Sequence, residues 1–138
     1  MSDLQRFVDA QDAGGTYDDA LRELRAGRKT GHWMWFVFPQ VAGLGRSSMA
    51  QHYALSGLGE AQDYLADPVL GPRLRECASA LTALSETDPV RVLGGIDAMK
   101  LHSSMTLFDR AAPDEPVFGE VLEQYYDGAL DRATLDRL

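Results

Sequence analysis

Apolar residues recur at three- and four-residue intervals along almost the whole chain, and glycines and prolines interrupt the pattern again and again. The spacing places apolar side chains on one face of an α-helix, and the interruptions exclude long bundle helices. The expected fold is therefore all-α: an irregular array of about six to eight short helices in a single compact domain, 1–138, none much longer than about 18 residues. No internal repeat or low-complexity linker divides the chain.

Helix signals can be placed residue by residue. Leu4, Phe7 and Val8 give a short apolar face with Ser2 as a candidate N-cap, and Gly14-Gly15 ends it. Thr16 starts a second helix, with Asp18 and Asp19 in the first turn, where acids suit the helix dipole. Its inner face is Tyr17, Ala20, Leu21 and Leu24, and Gly27 stops it. Ser56 to Leu84 reads as two helices, one on Leu58, Ala61 and Leu65, the next on Leu70, Leu74, Cys77, Ala78, Leu81 and Leu84. Asp67-Pro68 and Asp88-Pro89 are cap-and-proline starts, since proline at the first helical position forfeits no helical hydrogen bond. Asp97 is expected to cap a helix over 98–110, with Leu101, Met105 and Phe108 inward. Pro116 to Tyr126 turns Phe118, Val121, Leu122 and Tyr125 inward, and Arg132 to Leu138 is a short amphipathic tail.

One segment departs from ordinary composition. Between Thr30 and Gly59 the only formal charge is Arg46, where roughly a quarter of a globular chain is charged. It opens on Gly31-His32-Trp33-Met34-Trp35-Phe36-Val37-Phe38-Pro39-Gln40. As a strand this run is apolar on both faces, and as a helix it is apolar all round, so it is buried either way. The helical surroundings and Pro39 favour a short buried helix. Trp33 and Trp35 either fill the core or line a pocket and stack on a planar ligand. A buried indole N–H wants a partner, and His32 and Gln40 bracket the run. Gly43-Leu44-Gly45-Arg46-Ser47-Ser48 follows, ahead of a helix expected through His52, Tyr53 and Leu55. Arg46, Ser47 and the glycine backbone suit a phosphate or carboxylate, although Ser47 serves equally as a plain cap.

A second segment runs from Asp97 to Phe108. Lys100 is one of two lysines, the other being Lys29, and it sits among apolar residues. Asp97 and Lys100, three apart on a helix, are set to form a structural ion pair. Alternatively Lys100 faces a ligand together with Ser103 and Ser104. Serines and threonines are poor interior helix residues, so Ser103, Ser104 and Thr106 either bond back one turn or line a polar cavity.

Exclusions narrow the function. With Cys77 alone there is no internal disulfide and no cysteine zinc site, and its place on an apolar stripe reads as core. The three histidines are dispersed, with no paired metal spacing, and no nucleophile elbow or nucleotide loop occurs. No metal and no cofactor are implied. A net charge of −8 with two lysines argues against nucleic acid as partner. No leader or membrane span is read at the N-terminus or in the apolar run, so the expected location is the cytoplasm. Asp127, Asp131 and Asp136 read as a solvated face.

The residues Gly31–Gln40, Gly43-Leu44-Gly45-Arg46-Ser47, Pro68-Val69-Leu70-Gly71-Pro72-Arg73-Leu74 and Met99–Phe108 resemble bacterial domain-of-unknown-function family 1810, over Leu4 to about Tyr126. The resemblance implies a multihelical soluble domain and no established activity, so it transfers no catalytic residue. His102 stands where arginine is the commoner family residue. The label calpastatin sometimes given to that family suits a disordered, proline- and lysine-rich inhibitor, which this composition is not. The reading placed first is a small-ligand binding module without established catalysis, most simply a monomer, with a small anionic ligand or a protein as partner. A second is an enzyme or binding protein for a phosphate-bearing molecule of nucleotide or ADP-ribose type. A third is a protein–protein interaction domain.

Overall fold

The computed structural model describes residues 3–138, so the Ser2 cap lies outside the described residues. In chain order the helices are α1 (Gln5–Asp12), a 3-10 turn (Ala13–Gly15), α2 (Thr16–Arg25), α3 (Met34–Val37), α4 (Ser48–His52) and α5 (Leu58–Ala66). There follow α6 (Leu70–Ala83), α7 (Pro89–Leu93), α8 (Gly95–Ala111), α9 (Pro116–Tyr126) and α10 (Arg132–Leu135). Six of the ten α-helices have eight or more residues, and the other four are little more than a turn. Among the described residues the extended pairing is one isolated parallel bridge, Val41 with Leu55. No helix among them is long and apolar enough to cross a membrane.

α8 is the central helix: it packs against α5, α7, α9 and α10, while α6 packs against α2, α5 and α9. Its residues Ser103 to Phe108 are all buried, which requires partners on every side. One contiguous core joins Phe7, Leu24, Trp33, Phe38, Leu74, Phe108 and Phe118. The inner face of α2 is the expected Tyr17, Ala20, Leu21 and Leu24, and that of α9 the expected Phe118, Val121, Leu122 and Tyr125. Gly14 and Gly15 take φ of 61° and 71°, the left-handed conformation that separates α1 from α2.

Three local expectations are corrected. Asp97 does not cap α8: the helix starts two residues earlier, at Gly95, and the carboxylate is drawn to the lysines instead. Gly94, at φ 88°, makes the sharp entry a side-chain cap would otherwise mark. On α5 the inner face is Ala61, Tyr64 and Leu65, whereas Leu58, in the first turn, faces solvent. α4 ends at His52, because Leu55 leaves the helix to pair its N–H with the Gln40 carbonyl at 2.9 Å.

The apolar run of the uncharged segment is helical at α3 and mostly buried, and neighbouring polar side chains hold it there. A one-turn helix leaves its carbonyls without intrahelical partners. The Phe36 carbonyl accepts from Gln11 Nε2 at 2.8 Å and from the Tyr64 hydroxyl at 3.4 Å, both inside the core. At the other end, Glu23 Oε1 accepts the N–H groups of Thr30 and Gly31 and the indole N–H of Trp33, at 2.7, 2.8 and 3.0 Å. The partner of the Trp33 indole is thus Glu23, and neither His32 nor Gln40. Arg6 closes the exit of α4, donating to the carbonyls of His52 and Ala54 at 2.9 and 3.0 Å.

Candidate functional site

The entry of α8 passes beside α3, which brings the chain's two lysines to one carboxylate. Lys29 Nζ lies 2.8 Å from Asp97 Oδ2 and donates to the Gly31 carbonyl at 2.5 Å. It also stands 5.0 Å from the centre of the Trp33 ring. Lys100 Nζ is 3.7 Å from Asp97 Oδ1 and 4.8 Å from the centre of the Trp35 ring. The two cations are not equivalent. Lys29 is 8% exposed in its side chain and fully engaged, while Lys100, at 21%, holds a looser pair. Lys29 is therefore a structural cation, and Lys100 is the more loosely held of the two.

Two adjoining cavities meet at this point. The Trp35 lobe, about 440 Å³, is bounded by His32, Met34, Trp35, the Gly94-Gly95 entry, Asp97 and Lys29. The Asp131 lobe, about 380 Å³, is bounded by Gln40, Leu44, Ser103, His102, Asp131 and Ala133. Ile96 and Lys100 border both lobes, so one ridge of α8 separates them. Cavities of this size fall in the range of ordinary ligand pockets, about 300–1,000 Å³. On the rim, Ile96 and Met99 are 74% and 73% exposed, unusual for large apolar side chains one turn apart beside a cleft. Gly95, Ile96 and Asp97, the first turn of α8, border the Trp35 lobe, and a helix start carries N–H groups without intrahelical partners and a weakly positive pole.

Polar order in the Asp131 lobe comes from the C-terminal segment. Asp131 Oδ2 accepts from Ser103 Oγ at 2.8 Å, from Thr134 Oγ1 at 2.6 Å and from the Thr134 N–H at 3.2 Å. Asp131 is thus a half-buried clasp between α8 and α10, which corrects its reading as part of a solvated face. Its backbone N–H donates to Thr106 Oγ1, which bonds back to the His102 carbonyl. His102 stacks on Tyr126 with centroids 4.3 Å apart and planes at 5°, and its Nε2 meets the Ala129 carbonyl at 2.7 Å. A ring held in this way is positioned by the fold.

Of the residues singled out in the sequence, His32, Trp35, Gln40, Lys100 and Ser103 border the cleft. Trp33 is 1% exposed and belongs to the core. Ser104 is fully buried, and its hydroxyl has no partner among the described residues. Arg46 and Ser47 are exposed and border neither lobe; the Ser47 hydroxyl caps α4, accepting the Ala50 N–H at 3.1 Å. Their loop reaches the cleft through Leu44 and Gly45 instead. Lys29 and Asp131 were not among the candidate site residues; the rarity of lysine was the available signal for the first. Among the described residues no group of histidine, cysteine or acidic side chains is placed to hold a metal ion. Cys77 is a buried thiol, pushed up to about 12 by burial, and unsuited to act as a nucleophile.

The sequence profile of a family described as protein of unknown function, DUF1810, matches residues 1–138. The chain belongs to the DUF1810 family. The match extends the resemblance past Tyr126 to the α10 segment that carries Asp131 and Thr134. No curated protein matches this DUF1810 chain. Its fold is similar to the crystal structure of the conserved hypothetical protein Rv1873 from Mycobacterium tuberculosis, with a TM-score of 0.94 and 48% identity. That alignment covers 99% of this chain and 96% of the mycobacterial one. DUF1810 thus supplies a fold and a family without an activity.

Proposed function

We propose that this protein is a binding module for a small anionic ligand, held in the two-lobed cleft with its negative group beside Lys100. The observation that carries the reading is the convergence of both lysines on Asp97 at the cleft, two cations against one carboxylate in a chain of net charge −8. Lys100 exchanges a 3.7 Å contact with Asp97 for the ligand while its ammonium stays over the Trp35 ring, a small loss because a pair this long and open in part to water is much weaker than the 2.8 Å pair of Lys29. The first turn of α8 adds its unpaired N–H groups. No catalytic step is assigned: the pairing of Lys100 and the packing of His102 support holding a ligand in place. The protein is taken to act as a monomer in the cytoplasm.

Thermal unfolding with added inorganic phosphate and simple carboxylates tests this. A ligand at 100 times its Kd adds about 2.7 kcal/mol, several degrees in Tm for a domain of this size. A rise that vanishes in Lys100→Ala supports the reading, and no rise with any anion overturns it. The exposed Ile96 and Met99 support a second reading, a protein partner covering the rim of the same cleft.

A further inference from the structure

The two lobes differ in chemistry, and the difference specifies more of the ligand than its charge. In the Asp131 lobe, one carboxylate oxygen of Asp131 is saturated by three donors, while Oδ1 has no hydrogen-bond partner among the described residues. The side-chain amide of Gln40, in the same lobe, also has none there. A free carboxylate oxygen and a free amide together recognise hydroxyl groups, which donate to the first and exchange bonds with the second. The other candidate groups fit less well. A second anion would be repelled by Asp131, and a cation by Lys100, which borders both lobes. Leu44, Ile96 and Ala133 supply apolar wall for the C–H face of a carbon skeleton.

In the Trp35 lobe the indole is not open to a stacking base on every face, because the Lys100 ammonium stands 4.8 Å from the ring centre. That pairing favours an anion meeting Lys100 over a planar aromatic group replacing it. We propose that the ligand is a phosphate monoester of a small polyhydroxylated molecule, a sugar phosphate without a nucleobase, its phosphate in the Trp35 lobe and its hydroxyls against Asp131 and Gln40. This rests on the anion-binding reading above and extends it to the uncharged end of the ligand.

Titration calorimetry at constant ionic strength, with inorganic phosphate, ribose 5-phosphate and AMP as probes, separates the two claims. Ribose 5-phosphate is expected to bind at least about tenfold more tightly than inorganic phosphate and than AMP, with Lys100→Ala abolishing binding of all three. Gln40→Ala is expected to bring ribose 5-phosphate close to the affinity of inorganic phosphate while leaving inorganic phosphate unchanged. Asp131→Asn should act likewise, and Gln40→Ala keeps the test valid if loss of the Asp131 clasp unfolds the tail. Inorganic phosphate binding through Lys100 with no preference for ribose 5-phosphate, or a preference that survives Gln40→Ala, overturns the hydroxyl assignment and leaves the anion site standing. AMP binding the tightest likewise overturns the assignment. No binding of any probe overturns both.

Discussion

At the scale of single residues, the two lysines show how burial separates similar side chains. Both are paired with Asp97, yet Lys29 also donates to the Gly31 carbonyl and lies almost wholly inside, with Lys100 looser and more exposed. Removing one partner of a buried pair leaves an uncompensated charge and costs about 3–5 kcal/mol, whereas an exposed pair is worth about 0–1 kcal/mol. Urea unfolding should therefore find Lys29→Ala destabilised by about 3 kcal/mol or more, and Lys100→Ala, which loses a longer and partly exposed pair, by clearly less. Equal losses would contradict the assignment of Lys29 to structure and Lys100 to ligand. The rarity of lysine is plain in the sequence, as is the three-residue spacing of Asp97 and Lys100. That Lys29 is the closer partner is not, because it lies 68 positions from Asp97 and only the fold joins them. Asp131 was misread for the same reason: its partner Ser103 lies 28 residues away.

At the scale of elements, helices with several turns were legible and single turns were not. α2 and α9 each repeat an apolar face over two or more turns, and both match their expected inner residues. α4 has five residues, too few to show where the period stops, and its end is set by the pairing of Val41 with Leu55. The link between α2 and α3 depends on one carboxylate. Burial of Glu23 would push its pKa up, but the N–H groups of Gly31 and Thr30 and the Trp33 indole outweigh this and hold it below its ordinary 4.5. A carboxylate with a depressed folded-state pKa contributes stability above its unfolded value and loses it as the pH falls through the folded value. Denaturation of Glu23→Gln should accordingly show a smaller loss of stability between neutral pH and pH about 3.5 than wild type. At pH 7 the variant should be less stable by about 1–2 kcal/mol, since a charge-assisted acceptor becomes a neutral one. An unchanged acid dependence would remove Glu23 as the anchor of this loop.

At the scale of the whole molecule, the all-α class and the irregular arrangement follow from the sequence, because the breaks between helices are local and the spacing within them is strong. The cleft does not. It is assembled from α3, the 40–45 loop, the start of α8 and the C-terminal segment, four stretches whose proximity no spacing reveals. The glycine–arginine–serine turn had the right chemistry for an anion yet turned outward, while the lysine pair carried the same chemistry inward. The most direct measurement of the anion site is a tryptophan fluorescence titration with inorganic phosphate at fixed ionic strength. Trp35 reports because Lys100 lies over its ring, and Trp35→Phe is a tolerable control, since its indole N–H has no partner among the described residues. The expected result is a saturable change in emission that is lost in both Trp35→Phe and Lys100→Ala. A flat titration, or a change of the same size in either variant, would contradict an anion site at Lys100.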